Sequence, residues 1–122
     1  MIYSTRLTTT GDTLVYTSST TGAAIGGGVT GQVNAVTNII VCNTGTPDLS
    51  NETTNSATLT LNLVASGGVS SDTNTIVKNL VIPAGETVFF SDERIVLSSA
   101  DQIRATASVS NLLSITVSSL PV

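Results

Sequence analysis

The residues GGGVTG, Gly26 to Gly31, spell G-x-G-x-x-G, the pattern that lets a backbone approach a pyrophosphate at the start of a helix. That chemistry needs a strand before the glycines, a helix after them, and an acid about 20 residues on for the ribose. The next segment is QVNAVTNIIVCN, Gln32 to Asn43, in which Val33, Val36, Thr37, Ile39, Ile40 and Val41 are all β-branched. Such a run makes a poor helix and a good strand. Asp48 falls near the required interval, but within NTGTPDLSNETTNS, whose Gly45, Pro47 and polar residues mark a loop. The glycines therefore read as a Gly-rich loop at about 20–33 joining two strands, and no nucleotide or other cofactor is expected.

Other residue types that do chemistry are sparse. The chain has no histidine, the usual neutral-pH base and metal ligand. Cys42 is the only cysteine and sits in NIIVCN, where it reads as a small core hydrophobe with no partner for nucleophilic catalysis. Asp92 and Glu93 are adjacent in SDERIVL, so on a strand they would point to opposite faces and could not act on one bond. Glu93 or Asp101 could instead pair with Arg94 or Arg104, tying loop to sheet or one subunit to another. Asp48, Glu52 and Asp72 could offer oxygens to calcium, but their spacing matches no calcium-loop pattern, and no metal is expected. Sugar-binding sandwiches stack their ligands on exposed rings, and this chain offers only Tyr3, Tyr16, Phe89 and Phe90. The expectation is a protein that is not an enzyme.

Composition narrows the class further. Only 10% of the residues are charged, against roughly 25% in an ordinary soluble domain. Serine and threonine, 37 of the 122 residues, must supply the polar surface instead. A polar but nearly uncharged surface suits proteins that pack side by side in an assembly. The net charge is −4, and Arg6, Lys78, Arg94 and Arg104 lie far apart, so no basic stripe exists to engage a phosphate backbone. No apolar run is long enough to span a bilayer as a helix, and MIYSTRLTTT lacks the pattern of a secretory signal. Neither nucleic acid nor membrane is an expected partner.

The elements that must position these residues are strands. IYSTRLT and DTLVYTS flank TTGD, which reads as a hairpin turn. In ATLTLNLVA, Leu59, Leu61 and Leu63 alternate with Thr58, Thr60 and Asn62. TIVKNLVIP places Ile76, Leu80 and Ile82 on one face, and PAGE, Pro83 to Glu86, turns the chain. TVFFS and RIVL come next. QIRATASV directs Ile103, Ala105, Ala107 and Val109 inward, and Ser110 and Asn111 join it to LLSITVSSL as a final hairpin with Leu113, Ile115 and Val117 toward the core. Eight or nine short strands, each with one apolar face, predict a single domain over residues 1–122 that is all-β: an antiparallel β-sandwich, jelly-roll-like, with a closed barrel as the alternative.

The segments NIIVCNTG, LNLVASGG, NLVIPAGETVFF, ERIVLSSADQIRATASVSN and LSITVSSL carry a resemblance. Together, over about Val36 to Leu120, they resemble the small β-sandwich structural proteins of tailed bacteriophages, in which a strand ending in cysteine-asparagine, a proline-initiated turn and a D-x-I-R-A-T-A segment recur. The resemblance implies a virion component. Its first form is a capsid decoration, or cement, protein that docks on the major capsid protein as a small homo-oligomer, commonly a trimer. Its alternative is a tail, baseplate or fibre component, including a receptor-binding tip.

For such an assembly the candidate interface residues are Phe89, Phe90, Glu93, Arg94 and Arg104. The two phenylalanines must place one ring on each face of their strand, so one is core and the other is exposed or covered by a neighbour.

Overall fold

The computed structural model describes residues 2–18, 33–91 and 94–121. The Gly-rich loop, with its G-x-G-x-x-G pattern, and the candidate Glu93 lie outside the described residues. Among the described residues nine strands form: β1 (Ile2–Arg6), β2 (Thr13–Thr17), β3 (Asn34–Asn43), β4 (Ala57–Val64), β5 (Thr75–Ile82), β6 (Thr87–Phe90), β7 (Ile95–Leu97), β8 (Gln102–Ala107) and β9 (Leu113–Pro121). The segment after the glycines is thus strand β3, as its β-branched run requires. Two antiparallel sheets face each other, a five-stranded one in the order β1-β9-β3-β6 with β7 also on β3, and a four-stranded one in the order β2-β8-β4-β5.

This order is a rolled ribbon. β4 and β5 form a hairpin, and outside it β3 pairs β6 and β7, β2 pairs β8, and β1 pairs β9. Rolling that ribbon then brings β9 onto β3 and β8 onto β4, which produces the jelly-roll sandwich. Two expected hairpins are therefore corrected. β1 and β2 lie in different sheets, and so do β8 and β9, so the turns after Arg6 and after Ala107 are corners that cross the sandwich. Asn111, at φ 65°, makes the second corner, and its N–H donates to the Leu7 carbonyl at 2.8 Å. The PAGE turn forms as expected: Gly85 takes φ 79°, and the Glu86 N–H donates to the Pro83 carbonyl at 3.1 Å.

Alternation puts Leu59, Leu61, Ile82, Ile103, Ala105, Leu113, Ile115 and Val117 into the core between the sheets. Three residues depart from it. Ile76 is 45% exposed because it is the extra, unpaired residue of a bulge between Leu61↔Val77 and Asn62↔Thr75. A second bulge at Lys78 and Asn79 resets β5, so Val77, Leu80 and Ile82 face inward. Val109 is 40% exposed because β8 ends at Ala107. Cys42 is half-buried on the outer side of β3: Val41 takes the core position, so its neighbour must point away.

Candidate functional site: the outer face of the five-stranded sheet

The pairing registers define rows across this face. Arg6, Ser114, Cys42 and Thr87 form one, and Ser4, Thr116, Ile40 and Phe89 the next. Ile2, Ser118 and Asn38 form a third, and Leu120, Ala35 and Val96 a fourth. Hydroxyls therefore collect over β1 and β9, where the Ser4 and Thr116 hydroxyls lie 2.9 Å apart. Apolar side chains collect over β3, β6 and β7. Phe89 is 62% exposed and Val96 60%, while Phe90 turns inward against the core opposite Ile39. Arg6, at a corner, is the one charged residue in these rows.

The strip is interrupted where the edge strand breaks. β6 ends opposite Ile39 and β7 begins opposite Val36, and at the same level Thr37 is the extra residue of a bulge against β9. The Thr37 hydroxyl donates to the Ser118 carbonyl at 3.1 Å. A hollow of about 310 Å³ opens at this break, lined by Ala35, Thr37, Val96 and the exposed Arg94 among others.

The candidate residues thus do not share one surface. Phe89 and Arg94 flank the same strip, and Phe90 packs, partly buried, against the core. Arg104 lies on the other side of the molecule, alternating with buried Ile103 and Ala105 on the outer face of the four-stranded sheet. Asp101 is not its partner within the chain: the Arg104 Nε donates to the Asp12 carboxylate at 2.9 Å, and its guanidinium also reaches the Gln102 side-chain oxygen at 3.1 Å, while the other candidate partner, Glu93, lies outside the described residues. Asp101 instead accepts the backbone N–H groups of Ser66 and Ser98, both at 2.9 Å, fastening two loops together. The signal for the Asp12 pair is absent from local sequence, because the partners are 92 positions apart.

Three aspartates are engaged in similar ways. Asp12 also accepts the Ser70 hydroxyl at 3.1 Å, and Asp72 lies 3.7 Å from the Lys78 ammonium. Asp48 accepts the Ser50 hydroxyl at 2.7 Å and the Ser50 N–H at 2.9 Å, and these bonds hold its carboxyl below the ordinary carboxylate range. A recess of about 580 Å³ carries Asp48, Glu52 and Glu86 beside Leu49 and Val81. Among the described residues no group of carboxylates or cysteine is arranged to hold a metal ion. No known protein family matches the chain, and no characterised protein or solved structure matches it.

Proposed function

We propose that this chain is a non-enzymatic structural protein of a tailed-bacteriophage virion, a capsid decoration protein that binds the head shell as a small oligomer and stabilises it. The observation that carries this reading is the outer face of the five-stranded sheet. A sheet face that meets water alone favours charged side chains, whereas these rows hold hydroxyls, Ile40, Val96, Leu120 and an exposed phenylalanine, with a single arginine at the corner. Large apolar side chains exposed in two groups on one sheet face, around Phe89 and around Val96 and Leu120, support reading that face as an interaction surface. The opposite face differs, with Arg104 and Lys78 held by Asp12 and Asp72. The jelly-roll topology adds a fold-level analogy, since capsid domains commonly use it. The resemblance carried by the segments between Val36 and Leu120 supports a tailed-bacteriophage virion as the setting.

Counting the chain in purified particles tests the proposal. Hundreds of copies per particle are expected, and particles assembled without the chain should release their DNA at a lower temperature, with recovery when the purified protein is added back. A few to a few dozen copies would overturn the head assignment in favour of a tail component. Absence from particles would overturn both.

A further inference from the structure

We infer that the exposed Phe89 ring of one copy occupies the strand-break hollow of a second copy, so that the apolar strip of the five-stranded sheet is a self-association surface. The knob and its socket lie on the same strip. Phe89 stands in the row of Ile40 and Thr116, and the hollow sits at the row of Ala35, Val96 and Leu120. The two rows are four β9 residues apart, about 13 Å at ~3.3 Å per residue, so no chain can fill its own socket.

Size fits on both scales. A cavity of about 150 Å³ is enough to take up a benzene ring, and the hollow offers about 310 Å³. Its lining suits a ring as well: Ala35 is small, Val96 and Ile95 are apolar, and Arg94, exposed at the rim, brings a cation that can stack on an aromatic face. Four strand positions at about 4.8 Å and the length of β9 make a face of roughly 600 Å² before side-chain relief is counted. That approaches the ~800 Å² per partner of a standard specific interface. A two-fold axis lying across the strands at the level of Thr37 exchanges the two rows, so each copy gives and receives one ring. The same operation lays hydroxyl strip on hydroxyl strip and apolar strip on apolar strip.

This deepens the assembly reading and is testable without particles. In a Cys42→Ser background, Phe89→Cys protein is mixed with Val96→Cys protein under mild oxidation. A disulfide-linked heterodimer is expected, and it can arise only between copies, because the two positions in one chain are too far apart to bridge. In parallel, light scattering should show that wild-type protein self-associates, and that Phe89→Ser weakens association at least tenfold while melting with wild type at dilutions where both are monomeric. Ala35→Phe, which fills the socket, should weaken it comparably. Failure of the mixed pair to cross-link above either variant alone, or wild-type protein that stays monomeric at millimolar concentration, would overturn the inference. Cross-linked pairs from a chain that is absent from particles would leave it standing while the virion reading fell.

Discussion

Phe89 and Phe90 are adjacent, chemically identical and opposite in environment, so one dipeptide separates packing against the core from exposure on the sheet face. Phe90 packs, partly buried, against the core opposite Ile39, and Phe90→Ala should lower unfolding stability by about 2–3 kcal/mol in denaturant titration, below the value for a fully buried ring. Phe89→Ala, on the outer face, should change it by less than about 0.5 kcal/mol. Asn43 is the residue whose importance least resembles its composition. Fully buried, its amide donates to the Asn55 and Ile82 carbonyls at 2.8 Å each and accepts the Gly45 N–H at 2.9 Å, so it ties three segments to the end of β3. Asn43→Ala leaves all three groups without that partner, and a loss of about 3 kcal/mol or more is expected from thermal or urea melts. Asp48 offers a prediction in pH. Its folded carboxyl titrates below the ordinary aspartate value because Ser50 hydrogen bonds favour the charged form. The contribution of this turn is therefore complete above that ordinary value and is lost as pH falls through the lower folded pKa. An NMR titration should place the Asp48 midpoint below that of Asp48 in a Ser50→Ala variant.

At the scale of elements, the edges are where the design against unwanted pairing shows. A free edge strand presents unpaired backbone groups, and bulges or breaks blunt it. β5 carries two bulges, β2 carries one at Val15, and the β6–β7 edge is broken, whereas β1 is regular but only five residues long. Asn79 builds one of these devices at φ 49°, and its N–H bonds the Thr60 hydroxyl at 3.1 Å. Asn79→Gly should be tolerated within about 1 kcal/mol, because glycine adopts this conformation freely. Asn79→Val should cost about 2 kcal/mol, and it should elute earlier in gel filtration only if the flattened edge recruits a second chain. These same bulges explain which features are legible in the sequence and which are not. Strand existence is legible in the alternation of Leu59, Leu61 and Leu63, and so is the turn at Pro83 to Glu86. The inward expectation for Ile76 and Cys42 fails because a bulge or a one-residue phase error reverses every subsequent side chain, and nothing local in TIVKNLVIP or NIIVCN announces the phase. Strand partners are less legible still. TTGD and Ser110–Asn111 reverse the chain, but a reversal within a sheet and a corner between sheets use the same residues. Of the candidate interface residues the two adjacent rings are legible, though not which of them is exposed; the hollow at the strand break depends on β3 meeting both β6 and β7, which is a tertiary fact.

For the whole molecule, the rolled ribbon makes nearly every pairing nonlocal, from β3 with β9 to β1 with β9, which closes almost the full length of the chain. Loop closure must precede those contacts, so stopped-flow refolding should be in the millisecond-to-second range, and Phe90→Ala should act chiefly on unfolding if the β6 edge docks late. A rate in microseconds would contradict this topology. The same pairing has a mechanical side. β1 runs antiparallel to β9 with Ile2 opposite Ser118 and Arg6 opposite Ser114, so the outer ends of both strands emerge at the same end of the ladder. Tension applied through those ends meets the hydrogen bonds one rung at a time and peels the strands as a zip, whereas a pull along opposed ends would load all rungs in parallel. A protein built this way yields to traction at these strand ends, so a stabilising role of the kind proposed would require force to enter elsewhere than through the β1 and β9 ends.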